Sequence, residues 1–146
     1  MEVGDVFVWK NFPYPKHGNI KDRWFVFLGH TRFPDTPIFA FISTVTTQIQ
    51  HYEKSGDRAT HLFKKFKKGD FGFPEDCILD LDTIYDNIKL DKLTASPDIE
   101  IKGKIDTPTL KEIYSLLVLS QKISRKVKCY IYESFNYAGI TGLKKP

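Results

Sequence analysis

Residues 3–10 read V-G-D-V-F-V-W-K, and a period of two places Val6 and Val8 on one face of a first strand and Phe7 and Trp9 on the other. The next stretch, Asn11 to Lys21, carries Pro13, Pro15, Gly18 and two aromatic residues, a loop composition. The short run Trp24 to Leu28 is apolar on both faces, as a buried strand should be. Arg32 to Pro37, with two prolines, predicts a turn, and Ile38 to Val45 a third strand running into Thr46-Thr47-Gln48. Strands this closely spaced suit an antiparallel meander closing into a small barrel.

Past residue 50 the pattern weakens. His51 to Asp70 is polar and basic, and its centre, H-L-F-K-K-F-K-K-G over 61–69, fits either a strand or an exposed hairpin arm. Cys77 to Leu81 predicts another strand, Asp82 to Leu90 a short helix, and Leu93 to Glu100 an irregular stretch. The clearest helix follows: Thr107 as its cap, Pro108 in the first turn, and Leu110, Ile113, Leu117 and Ser120 on one stripe. Tyr114, Leu116 and Ile123 flank that stripe, so the helix is expected over 108–123 with one face on the core. Residues 124–133 fit a helix and a strand equally, and 137–146 a frayed tail. The expected fold class is mainly β with a C-terminal helix, an α+β arrangement in one domain spanning 1–146.

Composition sharpens this only in places. Twelve Phe, seven Tyr and two Trp favour strands. No run approaches the roughly 18 apolar residues a membrane span needs, and Met1 to Asp5 lacks the regions of a signal peptide, so a soluble, cytoplasmic chain without a membrane partner is expected. Cys77 and Cys129 are far apart, in no metal spacing, and are read as reduced thiols. The formal charge of +4 suits a polyanion-binding surface without requiring one.

Several segments, taken in order, resemble the MazF/PemK family of toxins from toxin–antitoxin pairs. They are Gly4-Asp5-Val6 with Trp9 and Phe12, a proline-containing loop, Arg23 before an apolar strand, Ser43-Thr44-Val45-Thr46-Thr47-Gln48, and Lys102-Gly103-Lys104-Ile105 before the helix. The resemblance covers about 3–123, with 124–146 as a C-terminal extension. It implies a small SH3-like antiparallel barrel of the MazF/PemK/CcdB type, a homodimer, neutralisation by a cognate antitoxin, and metal-independent cleavage of single-stranded RNA without a cofactor. It also implies that Arg23 and Thr46 serve the scissile phosphate, with His17 and an acidic residue assisting. Asp76 is the best match for that acid, with Asp80 and Asp82 competing. The chain departs from the family in having Trp24 where proline usually follows the arginine, and Glu75-Asp76-Cys77-Ile78 where the later strand usually carries Asp-Gln.

Each residue type suits its implied task. A guanidinium fork meets phosphate oxygens bidentately; a threonine hydroxyl donates or accepts; an imidazole titrates near neutrality. Plainer roles compete: an ion pair of Arg23 with Asp22 or Asp5, a strand-end turn closed by Thr46, a solvated His17. Lys21, Thr47 and Gln48 flank the implied site as RNA contacts. Lys64, Lys65, Lys67 and Lys68 around Phe63 and Phe66 offer charge and stacking to a single strand, or form a basic arm whose aromatics turn inward. His51 and His61 lack any spacing that would hold zinc. Two other readings accompany the nuclease: a CcdB-like gyrase-binding toxin, and a non-catalytic nucleic-acid-binding barrel.

Overall fold

Alternation along the first strands sends one set of side chains to each side of a sheet that is covered on both. A computed structural model describes residues 1–16 and 18–146. In it β1 (Asp5–Trp9), β2 (Arg23–His30) and β3 (Phe39–Thr46) form the expected antiparallel meander. β4 (Phe63–Phe66), β5 (Cys77–Lys89) and β6 (Ile99–Lys104) complete the sheet, ordered β4-β5-β3-β2-β1-β6 with every pairing antiparallel. Val6, Val26, Leu28, Leu79 and Leu81 face one core, while Phe7, Trp9, Phe12, Phe25, Phe27 and Tyr85 build an aromatic core on the opposite side. Phe7 lies directly across from Phe25 in the ladder, their ring centroids 5.6 Å apart. Burial on both faces explains why the first strands read as nearly continuous apolar runs.

The helices cover the first of these cores. α2 (Thr107–Leu117) buries Leu110, Ile113, Tyr114 and Leu117, and α3 (Arg125–Tyr137) buries Ile131, Ser134 and Phe135. α3 approaches β2 closely enough that a Cβ on Gly29 would sit 2.4 Å from the Ser134 side chain, and Gly29 also holds a φ of +134°. No residue but glycine fits there. The architecture is a mixed α+β fold: a curled antiparallel sheet carrying C-terminal helices.

Five expectations change. The helix placed at 82–90 is, up to Lys89, the second half of β5. Its apolar residues Ile84, Tyr85 and Ile88 mimic a helical period because the β3–β5 ladder shifts register twice, between Ala40 and Ile42 and between Ser43 and Thr44. The irregular stretch at 93–100 contains the end of α1 (Leu90–Ala95) and the start of β6, which pairs with β1. The helix cap is Asp106, whose carboxylate accepts from the Thr109 N–H at 2.9 Å, with Thr107 already helical. The helix stops at Leu117, and the ambiguous segment becomes α3, capped by Ser124. The tail is tied down: Ile140 is buried, and the Tyr114 hydroxyl donates to the Lys144 carbonyl at 2.6 Å.

The cap is testable by itself. Asp106→Ala strips the Thr109 N–H of its acceptor and should cost about 1 kcal/mol, lowering Tm by roughly 3 °C in a thermal melt followed by circular dichroism. Among the described residues no helix is long and apolar enough to cross a membrane. Cys77 and Cys129 are unpaired, and burial pushes the Cys77 thiol up to about 12, so it stays protonated.

Candidate functional site

Arg23 opens β2 and Thr46 closes β3. Each lies one residue beyond the paired Trp24 and Val45, so both stand at the same end of the β2–β3 ladder. There they line a groove of about 370 Å³ with Lys16, Lys21, Asp22, Thr47, Gln48, Arg58 and Tyr85. Four cationic side chains (Lys16, Lys21, Arg23 and Arg58) thus share the described lining with one carboxylate, Asp22. A concave surface with that balance attracts anions.

The loop between β1 and β2 is held onto this groove by the aromatic core. The Lys16 backbone N–H donates to the Tyr85 hydroxyl at 2.9 Å, its ammonium donates to the Ile84 carbonyl at 3.0 Å, and the same ammonium lies 4.5 Å from the Tyr85 ring centroid. Tyr85 in turn packs edge-on against Phe12 and Phe25. Arg23 is half-buried, and one terminal nitrogen donates to the Asn19 carbonyl at 3.0 Å, which fixes the fork against the loop. The two carboxylates first considered as its partners have other work: Asp22 accepts from the Asn11 N–H and Asp5 from the Glu2 N–H. Thr46 does close its own turn, its hydroxyl oxygen accepting from the Gln48 N–H at 3.1 Å, which leaves the hydroxyl proton to be donated elsewhere. Trp24 packs toward the helix-side core against Phe73. His17 lies outside the described residues.

The three aspartates considered for the acidic position all hold structure. Asp76 is exposed and accepts from the Lys68 N–H at 2.8 Å, closing the turn between β4 and β5, and it does not line the groove. Asp82 accepts from the Leu62 N–H at 2.9 Å and from the Ser120 hydroxyl, tying β4 and the α2–α3 turn to β5. Asp80 is fully buried. Its Oδ2 accepts from the Tyr52 hydroxyl at 2.7 Å and from His61 Nδ1 at 2.8 Å, and its Oδ1 from the Asp82 N–H at 2.9 Å. Burial pushes its pKa upward, but these three donors outweigh burial and hold the carboxyl below its ordinary range. Burial, and then the hydrogen bond that its hydroxyl gives Asp80, push Tyr52 up to about 12.

The lysines of β4 stand apart from the groove, since β5 and β3 separate β4 from β2. Lys64 pairs with Glu112 on α2 at 2.7 Å; Lys65 and Lys67 are exposed. The aromatics between them turn inward, Phe66 into the core and Phe63 edge-on against Tyr52. His51 pairs with Asp57, and among the described residues no group of three or more His, Cys, Asp or Glu side chains is placed to hold a metal.

Sequence reasoning missed Lys16, Arg58 and Tyr85 as groove residues. Lys16 and Tyr85 carry no local signal, because only the fold brings them together. Arg58 lay in the polar 51–70 stretch, where nothing at short range distinguishes it from its charged neighbours. Compared with models of known protein families and with curated proteins, the sequence matches none of them.

Proposed function

We propose that the chain is a metal-independent endoribonuclease that cleaves single-stranded RNA, and that its curled sheet is a small SH3-like barrel of the kind found in MazF/PemK toxins. The observation that carries this reading is the groove in which Arg23 and Thr46, from neighbouring strands, stand with three further cations. The RNA supplies its own nucleophile. The 2′-oxygen bonds to phosphorus, the bond to the 5′-oxygen breaks, the 2′-hydroxyl proton is taken up by a base, and the leaving oxygen is protonated. Arg23 steadies the charge growing on the non-bridging oxygens, and Thr46 donates its hydroxyl proton to the same phosphate. His17, in the first loop, is proposed for proton transfer. In this reading the working form is a homodimer held in check by a cognate antitoxin, an acidic segment that covers the basic groove.

Cleavage of a single-stranded RNA should therefore persist in excess EDTA, with products ending in a 2′,3′-cyclic phosphate and a 5′-hydroxyl. The test is mass spectrometry of the fragments from EDTA-treated and magnesium-supplemented reactions. Activity that disappears with chelator and returns with magnesium, or fragments ending in a 5′-phosphate, refutes the mechanism.

A further inference from the structure

Arg58 enters the groove from a segment with little regular structure of its own, between the 3-10 turn Ile49–Tyr52 and β4. Such a segment orders a long cationic side chain poorly unless something grips it. Here the grip is specific. The Arg58 N–H donates to the His51 carbonyl at 2.7 Å, and Nη1 donates to the Tyr52 hydroxyl at 3.2 Å. Tyr52 is itself buried, set edge-on against His61 and Phe63.

The directions of these hydrogen bonds show what the network is for. A tyrosine hydroxyl has one proton, and Tyr52 spends it on Asp80 at 2.7 Å, so toward Arg58 it can only accept. His61 donates from Nδ1 to the same carboxylate oxygen, which leaves Nε2 as an acceptor facing the Lys122 ammonium at 3.1 Å. Every proton in the chain therefore points from the two cations inward to one buried carboxylate. A fully buried carboxylate is costly to maintain. Here it fixes the Tyr52 oxygen, and through it the guanidinium, at the groove wall. The hydrogen bond to Tyr52 uses one of the five N–H donors of the fork.

We propose that Arg58 is a second phosphate clamp of the groove, holding a phosphate of the nucleic-acid strand neighbouring the one at Arg23, and that Tyr52 and Asp80 are its positioning residues. The proposal rests on the nucleic-acid reading of the groove but not on cleavage.

The test measures binding of a 2′-deoxy single strand, which lacks the attacking hydroxyl, by fluorescence anisotropy over a salt series. Wild type is compared with Arg58→Ala, Arg58→Lys, Tyr52→Phe and, as a control on exposed α2, Lys111→Ala, each checked for fold by circular dichroism. Arg58→Ala should weaken binding on the order of tenfold and flatten the dependence of log K on log salt by about 0.7, the share of one phosphate contact on a single strand. Arg58→Lys keeps the charge and should retain the slope while recovering only part of the affinity. Tyr52→Phe removes the oxygen that holds Arg58 but no charge, so it should keep the slope and lose affinity severalfold. Lys111→Ala should behave as wild type. If Arg58→Ala matches wild type in both affinity and slope, the clamp is refuted; if Tyr52→Phe matches it in affinity, the positioning role is. Cleavage of an all-ribose strand is scored separately. A wild type that binds with an Arg58-dependent slope yet never cuts RNA overturns the nuclease and leaves the clamp standing. A wild type that cuts while Arg58→Ala binds and cuts equally well does the reverse. A wild type that binds no strand overturns both.

Discussion

Arg23→Ala should lower the rate of RNA cleavage on the order of a hundredfold or more, while the fold and most of the affinity for RNA survive. Arg23 starts a strand buried on both sides further along, and its fork is braced by the Asn19 carbonyl at 3.0 Å beside the Thr46 strand end. A donor fixed before the reaction stabilises charge that appears only in the transition state, and its loss falls on rate rather than on binding. Lys16, Lys21 and Arg58 still line the groove in the variant, so affinity should drop modestly. Arg23→Lys should rescue poorly, because a point charge cannot reproduce a planar fork. Thr46→Ala should lose less, since it deletes a neutral hydroxyl, and some of its loss will come from the Gln48 N–H that the hydroxyl now caps. The measurements are single-turnover cleavage, RNA affinity and thermal midpoint on the same three proteins. An arginine with a purely structural role predicts a lowered midpoint with full specific activity in the folded fraction. Wild-type cleavage by Arg23→Ala overturns the proposed site.

Asp80→Ala should destabilise the fold by about 3–5 kcal/mol at neutral pH, a fall in Tm on the order of 10 °C. Three donors lose their acceptor together: the Tyr52 hydroxyl, His61 Nδ1 and the Asp82 N–H. The side chain is fully buried, so water does not replace what is lost. The carboxyl titrates below its ordinary value of 3.8, which sets the sign of the pH dependence. Its stabilising contribution is fully present above that value and disappears as pH falls through the lower folded-state value. Urea denaturation of wild type and Asp80→Ala should therefore show a wide gap at pH 7 that narrows below about pH 4. A gap that is small at pH 7, or that widens in acid, contradicts the assigned hydrogen bonds.

How much of this was legible in the sequence depended on how locally each feature is determined. β1, β2 and β3 could be read because their side chains alternate between two cores, and alternation is written residue by residue. The pairing of Arg23 with Thr46 was legible only through a family resemblance, since no spacing rule joins positions so far apart. The second half of β5 was misread because two register shifts against β3 disturb its period, and a ladder shift is a property of the pair of strands, not of either one. Asp80 looked like its neighbours Asp76 and Asp82, a carboxylate near a strand end. Tyr52 and His61, folding back over it, make it a buried anchor, and through Tyr52 it helps hold the Arg58 guanidinium at the groove.

The position of β1 bears on the order in which the molecule assembles. β1 lies between β2, its immediate successor, and β6, the last strand of the sheet. One edge of β1 is therefore satisfied as soon as the first hairpin forms, while the other waits for residues 99–104. The meander of the first three strands joins segments near one another in sequence, but its β1–β6 seam joins segments separated by most of the chain, at a larger cost in loop entropy. As the chain leaves the ribosome, β1 thus presents an unpaired, apolar strand edge for as long as synthesis takes to reach β6, and α2 and α3, which follow, cannot yet cover the core behind it. A nascent or truncated chain ending before residue 99 carries the groove residues Arg23, Thr46 and Arg58 but neither that seam nor that cover, so the site is present in sequence well before the scaffold that holds it exists.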